Sequence, residues 1–439
     1  MSFTEKFSDG LSKVAQAVSN NIYLTAIKNA FTAYMPFIIV GSFASLFNII
    51  LCSETLGLAQ LSMFHWLTVL SPAFSVINFA TMSTMSLAIT VLTGIELGRS
   101  HNLKTVFTGI LALIAFITVV PTSVTAVIDE LSTVVTGVLP SSSMNAQSLF
   151  VGMIIAIVSV EIYNKLSQIE KLKIKMPEQV PTNIASSFNS LIPIMLTLLF
   201  VAIVGTLFLN ATGTYLSDFI YTILQKPLEG IAQTPFGIIF LSLACALFWI
   251  LGIHGSLVIM PLLSPLALSG LAANVAAVEA GQAATNVLTM TFFRVYVVCG
   301  GAGITISLIL AIFLFSKRTD EREIAKLGFF PGIFGINEPI IFGMPIILNP
   351  VYAIPFVLSQ FAATVIAYIA TATGFIACAT VEVPFGLPLF VNAFVGLQSF
   401  QAILVQIVVI AVAFIIYVPF VKISNRMYEK TLVEETTHE

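Results

Sequence analysis

The stretch GINEPIIFGMPIILNP, residues 335–350, places an amide, a carboxylate and a proline together inside strongly apolar sequence. Residues 327–421 contain no Lys, Arg, Asp or His, and their only charged side chains are Glu338 and Glu382. Moving a charge to the centre of a bilayer costs about 2.5–3.5 kcal/mol or more, so an ionisable side chain there is a functional candidate by default. Glu338 is therefore the first candidate site residue.

The proline in this stretch also predicts local structure. Pro339 lacks a backbone N–H and disfavours helix in the residue before it. Asn337 and Glu338 are therefore expected at a helix start, where an amide and a carboxylate suit a ligand with several hydroxyl groups. The alternative is a carboxylate that only caps its own helix.

The composition around this stretch is that of a membrane protein. Of the 439 residues, 58% are hydrophobic and 9% are charged, whereas a soluble domain usually carries about 25% charged residues. The apolar segments have the length of helices and do not alternate strictly, which favours a helical bundle over a β-barrel. We predict an all-α polytopic membrane protein, and no cleavable signal peptide is evident in the polar, mixed first 25 residues.

The placement of positive charge predicts the orientation. Fifteen of the eighteen Lys and Arg residues fall in five groups, and the loops near 52–66 and 121–147 contain none. Because cytoplasmic loops collect positive charge, the five groups are expected inside, with both termini cytoplasmic. The groups are Lys6 and Lys13, Arg99 and Lys104, Lys165 to Lys175, Lys317 to Lys326, and Lys422 to Lys430.

The pattern of apolar segments predicts about ten crossings, two re-entrant hairpins and amphipathic surface segments. The number of crossings between two basic groups must be even if both lie on the same side of the membrane. Apolar segments left over from this count are candidate re-entrant hairpins. Non-helical backbone survives at membrane depth only where it is buried or lines a wet cavity. The hairpins are expected near 254–275 and 329–349. Clear spans are expected near 29–51, 68–92, 105–121, 148–164, 188–209, 235–253, 295–316, 351–376 and 400–421.

Four parts of the chain follow from these assignments. Helices in 1–164 form an amino-terminal part, and 165–187 is a basic, amphipathic cytoplasmic linker. The remaining spans, 188–430, include the transport part with its re-entrant segments. Residues 431–439 form a cytoplasmic tail.

A second stretch resembles the first. GIHGSLVIMPLLSP, residues 252–265, also opens with Gly-Ile, and His254 precedes a Met-Pro pair by six residues, as Glu338 does. Transporters often contain internal repeats whose broken helices meet at the binding site. The match predicts that His254 and Glu338 are counterpart tips facing one cavity, although Gly- and Pro-rich apolar sequence also produces such matches by chance.

Other polar or aromatic residues near these stretches are weaker candidates. His254 and Gly255 follow Trp249, and a sugar site combines an apolar wall with a few polar groups. His254 is otherwise a satisfied core histidine, and Trp249 otherwise marks the membrane interface. Arg294 is expected to pair with a buried carboxylate, to contact a sugar or phosphate, or to extend to the surface. Glu382 begins another Pro- and Gly-broken segment, VEVPFGLP.

Several kinds of chemistry are not indicated. There is no G-x-x-x-x-G-K-[ST] motif for ATP, and no hydrolase triad or metal-ligand spacing. The four cysteines mostly lie in apolar runs, which is typical of small buried residues rather than of a disulfide framework. We therefore expect no metal, no cofactor and no nucleic-acid partner.

The quoted stretches resemble the membrane-embedded IIC component of bacterial sugar phosphotransferase systems, in the lactose/cellobiose/diacetylchitobiose branch. The resemblance extends over most of the chain, and the block around NEPIIFG with its trailing NP is its most specific part. It also includes NNIYLTAIKNAFTAYMPFIIVGSF, FWILGIHGSLV, the GGAG run at 300–303, and IIYVPFVK.

The resemblance implies a specific activity. Family members are homodimers in the inner (cytoplasmic) membrane, with the amino-terminal helices at the dimer interface and the sugar held among re-entrant hairpins. The binding domain carries the sugar across in an elevator-like movement. A phosphocysteine of the soluble IIB component, itself charged by IIA, then phosphorylates it. In this chain the sugar-contacting glutamate and histidine correspond to Glu338 and His254, and Asn337 belongs to the same motif.

Three functions remain open at this point. The first is group translocation of a β-linked disaccharide, in which Glu338 binds hydroxyls and accepts a proton as general base. In that case the phosphoryl carrier is another chain, because none of the cysteines lies in a soluble, phosphate-cradling loop. The second is a proton-coupled secondary sugar transporter, and the third is an uncoupled pore or receptor. FGINEP and GGAG replace the FNINEP and GGSG often found in the family, so the sugar itself is left open.

Overall fold

The computed structural model describes residues 13, 16–17, 20–54, 57–128, 131–174, 176–177, 180–344, 346 and 350–438. Eighteen α-helices and one β-hairpin occur in these ranges. The helices are α1 (Ile22–Phe47), α2 (Ser71–Asn78), α3 (Met85–Ser100), α4 (Thr105–Ile117), α5 (Ser141–Met144), α6 (Leu149–Ser167), α7 (Thr182–Thr212), α8 (Leu216–Ile220), α9 (Lys226–Ala232), α10 (Pro235–Ile250), α11 (Gly255–Glu279), α12 (Met290–Phe292), α13 (Thr305–Phe315), α14 (Thr319–Ile333), α15 (Glu338–Gly343), α16 (Pro350–Ala372), α17 (Val391–Leu397) and α18 (Phe400–His438).

The helical fold agrees with the expectation from composition. Among the described residues, eight helical segments are long and apolar enough to cross a membrane, or nine if a pair bent by 80° between α8–α9 and α10 counts as one more. The shorter apolar helix α4 is additional. The count of ten crossings stays a prediction.

Contacts between helices divide the chain into two compact units. One comprises residues 20–229, and the other comprises residues 1–19 and 230–439. The division falls inside α9, whereas the sequence suggested a linker at 165–187. In that linker the described residues form a 3-10 turn at Glu170–Leu172, and α7 begins at Thr182, directly after Pro181. The functional division expected from the sequence stays a prediction.

In the unit of residues 20–229, α3 packs against α1, α4 and α6. A cluster around Phe116, Val151 and Val201 forms part of its core. The span expected over 68–92 is interrupted, because helical backbone breaks at Thr84 between a π-helical turn and α3.

The loop expected outside the membrane contains a hairpin. Strands β1 (Ser123–Ile128) and β2 (Leu131–Thr136) pair antiparallel, with Ser123 opposite Thr136. Both strands are rich in Val and Thr, which favour extended backbone. The all-α expectation missed this hairpin because it weighed only the longer apolar segments.

In the unit that contains residues 230–439, the same order of elements occurs twice. A helix ends at a glycine turn and is followed by a second helical stretch, an extended segment, a short helix and a long helix. The first series is α10, α11, residues 282–289, α12 and α13. The second is α14, α15 with α16, residues 375–390, α17 and α18. The order of the main elements is thus similar around 252–265 and 335–350, although the first series contains additional helical turns at Phe293–Val297 and Ala302–Ile304 and ends in a shorter helix.

The two glycine turns have the same geometry. Gly252 and Gly335 have φ of 79° and 82°, in the left-handed region that glycine tolerates. Each following isoleucine N–H bonds back five residues: Ile253 N to the Phe248 carbonyl and Ile336 N to the Pro331 carbonyl, both at 3.1 Å. These are the bonds of a Schellman helix end. The turn places His254 opposite Asn337, one residue away from the pairing with Glu338 that the Met-Pro spacing suggested.

The helices after the two turns differ. Pro261 and Pro265 do not break the helix after the first turn, because both lie inside the continuous 25-residue helix α11. A re-entrant segment near 254–275 stays a prediction. Segment 329–349 is broken as expected: α14 ends at Ile333 and α15 has only six residues. Pro345 and Asn349, which end the quoted motif, lie outside the described residues.

Candidate functional site

His254 lies at the start of α11 in a defined orientation. It is the N-cap residue, and its Nδ1 accepts a hydrogen bond from the Leu257 N–H at 3.3 Å. Because an acceptor nitrogen carries no hydrogen, the neutral imidazole bears its hydrogen on Nε2. The helix cap therefore turns a donor, Nε2–H, away from the helix.

Glu338 lies at the start of α15, as predicted. Asn337 is the N-cap and Pro339 occupies the first turn, where its missing N–H costs nothing. The Asn337 carbonyl accepts from the N–H groups of Ile340 and Ile341, both at 3.0 Å. Glu338 is thus the first helical residue after a fixed turn.

The two helix starts bring these side chains together. His254 Nε2 lies 3.7 Å from Glu338 Oε1, and the side chains are 38% and 43% exposed. That separation exceeds a direct hydrogen bond of about 2.7–3.2 Å. A hydroxyl oxygen beside the pair, within hydrogen-bond distance of both atoms, accepts from Nε2–H and donates to the carboxylate. The pair therefore offers a donor and an acceptor to one hydroxyl group.

Trp249 supports the imidazole from inside the protein. Its ring centroid lies 4.2 Å from that of His254, and the residue is only 2% exposed. A sugar that stacks on an aromatic ring needs an open face, which Trp249 does not offer in this arrangement. Its direct contact with ligand stays a prediction.

Gly255 is required by packing. A Cβ at this position would lie 1.9 Å from the Cys245 carbonyl oxygen and 2.9 Å from Trp249 Cδ1. The missing side chain lets the first turn of α11 approach the backbone of α10. Gly255 therefore fixes the position of His254, and its expected contact with ligand is untested.

Asn337 is held by a loop of residues 300–304. Its Nδ2 donates to the Ala302 carbonyl at 3.0 Å, and the residue is 3% exposed. Gly301, with φ of 102°, leaves room for it, since a Cβ there would lie 2.5 Å from Asn337 Cβ. The GGAG run thus holds Asn337, the residue before Glu338, through one hydrogen bond and close packing.

Arg294 and Glu382 form a separate buried ion pair. Arg294 Nη1 lies 2.6 Å from Glu382 Oε1, and the side chains are 11% and 4% exposed. The same nitrogen donates to the Val383 carbonyl. Of the three roles expected for Arg294, the structure shows the pairing with a buried carboxylate. Arg294 also lines a recess beside the second turn, together with Phe334, Gly335 and residues 383–389.

Comparison with known proteins identifies the family. Residues 28–359 match the family model described as "Phosphotransferase system, EIIC". The chain belongs to the EIIC family of phosphotransferase systems.

Individual relatives agree with this membership over most of the chain. The "PTS system oligo-beta-mannoside-specific EIIC component" of Bacillus subtilis is 32% identical, over 96% of this chain and 94% of that protein. The "PTS system lactose-specific EIICB component" of Lacticaseibacillus casei is 32% identical, over 80% of this chain and 59% of that protein. The crystal structure of ChbC, the IIC component of the N,N'-diacetylchitobiose-specific system, matches with a TM-score of 0.88 at 30% identity, over 97% of this chain and 98% of that one.

The sequence analysis missed the amides that hold the extended segments of this EIIC protein. Asn274 pairs with the N–H and carbonyl of Asn286 at 2.9 and 2.8 Å, and Gln233 pairs with those of Leu288 at 2.7 and 3.1 Å. Thr291 bonds the backbone of the second extended segment, at 381 and 383. A polar residue within an apolar helix was the available signal for Asn274, whereas Gln233 lies in the turn between α9 and α10.

Neither a metal site nor a phosphoryl carrier is apparent. The described part of the chain contains no group of three or more His, Cys, Asp or Glu side chains that fits a metal ion. Cys52, Cys245 and Cys299 are buried free thiols, and Cys378 is partly buried. Buried thiols in apolar surroundings are inert nucleophiles.

Proposed function

We propose that this EIIC chain binds a β-linked disaccharide between His254 and Glu338 and delivers it for phosphorylation. The observation that carries the proposal is the 3.7 Å gap between two half-exposed polar atoms on converging helix starts. One atom is a donor and the other an acceptor, which is the arrangement a sugar hydroxyl satisfies best.

The relatives support the substrate class. Those compared above are named for oligo-β-mannosides, lactose and N,N'-diacetylchitobiose. These sugars share a β-linkage between pyranose rings. We therefore place the substrate in the cellobiose, lactose and diacetylchitobiose class, with entry from outside the cell and an elevator-like movement of the binding part.

The phosphoryl group comes from a partner in this proposal. A phosphocysteine of the soluble IIB component is the donor, and IIA recharges it. One relative is named as a joined EIICB component, which supports close cooperation between the two parts. We further propose a homodimer in the cytoplasmic membrane with both termini inside, and a docking face for IIB that includes the basic groups Lys165–Lys175 and Lys317–Lys326.

The geometry suggests what each residue does in the transfer. His254 Nε2–H donates to the sugar hydroxyl oxygen and orients it. Glu338 accepts the hydroxyl hydrogen bond and takes the proton while the oxygen attacks phosphorus, which is general-base assistance. The new O–P bond replaces the S–P bond of the phosphocysteine, and the IIB cysteine leaves as a thiolate. Holding the hydroxyl in line with the donor supplies much of the rate in such transfers.

Vesicle transport tests this function. Purified protein is reconstituted with radiolabelled cellobiose, lactose or diacetylchitobiose outside and phosphorylated IIB inside. Sugar phosphate that appears inside only with phosphorylated IIB supports group translocation and names the substrate. Concentrative uptake of unmodified sugar without IIB would instead indicate a proton-coupled transporter.

Glu338→Gln separates the two duties of Glu338. Gln keeps a hydrogen-bonding oxygen but is not a base. Retained sugar binding with phosphorylation reduced at least about a hundredfold, the usual range for a lost acid–base group, supports the base role. If binding and phosphorylation fall together, Glu338 only binds. Equilibrium binding and single-turnover phosphorylation on the same sample distinguish these outcomes.

A further inference from the structure

One buried amide, Gln360 of α16, connects the supports of both glycine turns. Its Nε2 donates to the Ser242 carbonyl at 2.7 Å, and its Oε1 accepts from the Gly303 N–H at 2.8 Å. The side chain is fully buried. A buried amide with both ends bonded holds two backbone segments at a fixed separation.

The first bond holds the helix that leads to His254. Ser242 lies in α10, about two turns before that helix ends at Ile250. A carbonyl inside a helix normally accepts only the N–H four residues later. The Ser242 carbonyl also accepts from the Gln360 side chain of α16. Any shift of α10 along its axis would break that bond. Gln360 therefore fixes the position, along the α10 axis, of the turn that precedes His254.

The second bond holds the loop of residues 300–304. This loop needs support, because Ile304 has φ of 54° although β-branched residues rarely adopt the left-handed region. The Tyr417 hydroxyl donates to the Gly303 carbonyl at 2.7 Å, on the other side of the same residue. Gln360 and Tyr417 thus clamp Gly303 through its N–H and its carbonyl.

The loop in turn positions the second helix start. The Ala302 carbonyl, next to the clamped Gly303, accepts the Asn337 side chain. Asn337 precedes Glu338 directly. A continuous chain of bonds therefore runs from Gln360 through the loop to Glu338.

We propose that Gln360 is a positioning residue that sets the separation of His254 and Glu338. Its effect on sugar affinity rests on the proposed function, whereas its effect on the separation does not. The Gln360 amide contacts neither side chain of the pair; it acts through α10 on one and through the 300–304 loop on the other.

Gln360→Glu is the informative variant. The new carboxylate still accepts from the Gly303 N–H but faces the Ser242 carbonyl with a second acceptor. We expect sugar affinity to fall about tenfold near neutral pH, the effect of one lost buried hydrogen bond. A protonated carboxyl can again donate to the Ser242 carbonyl. The sugar affinities of wild type and Q360E should therefore become more similar in mildly acidic buffer. Because protonation would also relieve a loss of stability, the affinity is measured on the folded fraction at each pH.

Gln225→Glu is the matched control in the other unit. Gln225 is also fully buried, donates to the Ala146 carbonyl and to Glu229 Oε1, both at 2.7 Å, and accepts from the Phe150 N–H at 3.3 Å. Q225E makes the same Gln-to-Glu substitution in the other unit, where it also places a second carboxylate beside Glu229. It should lower the thermal midpoint but leave the affinity of the folded fraction within about twofold of wild type. Equal affinity losses in Q360E and Q225E would overturn the proposal.

A measurement without sugar tests the separation itself. H254C and E338C together are treated with bis-methanethiosulfonate reagents of increasing length, and the linked peptides are quantified by mass spectrometry. With Gln360 present, one short reagent should dominate; with Q360E added, the optimum should move or broaden, and with Q225E it should not. An unchanged length profile in Q360E refutes the positioning role. A wild-type protein that binds no β-linked disaccharide refutes the proposed function instead.

Discussion

The turns before His254 and before Glu338 have the same backbone but different supports. Gly252 and Gly335 share a left-handed conformation and the same bond back to the preceding helix. The first turn leads into the 25-residue α11, which is fixed against α10 through Gly255. The second leads into the six-residue α15, which packing along its length cannot hold in the same way.

This difference shows two ways to place a polar group at the start of a helix. At His254 the start of α11 is held against α10 by van der Waals contact at Gly255, and α10 itself receives one hydrogen bond from Gln360. At Glu338 the position is set by a hydrogen bond from Asn337 to a broken loop. The packing at Gly255 leaves no room for an extra atom. The hydrogen bond of Asn337 is directional, and a single substitution can remove it.

The largest expected effect comes from filling the space at Gly255. In Gly255→Ala the new Cβ would lie 1.9 Å from a backbone oxygen that has no flexible side chain to move aside. Overpacking usually costs about 1–3 kcal/mol, and a backbone clash belongs at or above the upper end. We expect little folded protein and no measurable sugar binding, assayed by size-exclusion chromatography and thermal unfolding in detergent.

Gly230→Ala is the control for that substitution. Gly230 is also helical, and a Cβ there would meet nothing within 4 Å. Alanine should stabilise it by roughly 0.5–1 kcal/mol because it restricts the unfolded chain. A G255A protein as stable as G230A would show that packing does not fix the first turn.

An intermediate effect is expected from the paired substitutions Gly252→Ala and Gly335→Ala. Each puts a Cβ on a residue with φ near 80°, which costs about 1–2 kcal/mol. Because the turns share their geometry, the two losses in free energy of unfolding should agree within about 0.5 kcal/mol. Thermal unfolding of both variants and of wild type measures the two losses in free energy of unfolding. A clearly larger loss at one site would show that the turns share backbone angles but not surroundings.

The smallest effect is expected from Trp249→Phe. The indole packs against His254, and its Nε1 has no hydrogen-bond partner among the described residues. Phenylalanine keeps an aromatic face and removes an unpaired polar atom, so sugar affinity should change less than about threefold, the scale of 0.5 kcal/mol. A loss near a hundredfold in a binding titration would mean that the indole N–H contacts ligand, which requires Trp249 to move from its buried position.

The sequence predicted the local placement of two candidate residues where polar residues interrupt apolar sequence, and their role in binding stays a prediction. Glu338 at a helix start follows from Pro339 alone, and the approach of His254 and Glu338 follows from two similar Gly-Ile stretches. The one-residue error in pairing arose because the Met-Pro spacing was matched instead of the turn. Turn residues fix backbone angles, so aligning the two glycines pairs His254 with Asn337. The Met-Pro pairs lie beyond the turn, and one extra residue between the turn and the second pair shifts the alignment by one position.

The prolines of α11 and the supports of the site were harder to predict. Pro261 and Pro265 suggested a break, but a buried helix can accommodate proline when its neighbours satisfy the freed carbonyls. Gln360 and Tyr417 lie more than a hundred residues from Ser242 and Gly303, respectively, so no local pattern connects them. Long-range pairing of buried amides is a property of the packed fold.

The amide pairing of the first extended segment has a consequence for how this region can vary. Asn274 and Gln233 bond the backbone of Asn286 and Leu288, two positions apart on one edge of an extended chain. Gln233 bonds only the peptide groups of Leu288, whereas Asn274 Oδ1 also accepts from the Asn286 side chain at 3.2 Å. The exposed positions 282, 283 and 285 therefore accept many residues, while the side chains of Val287 and Leu288 are buried. The length there is constrained, because inserting one residue between 286 and 288 would turn the opposite edge toward Gln233. Substitutions should therefore accumulate at the exposed positions of the segment and be rare at Asn274 and Gln233, which hold its backbone.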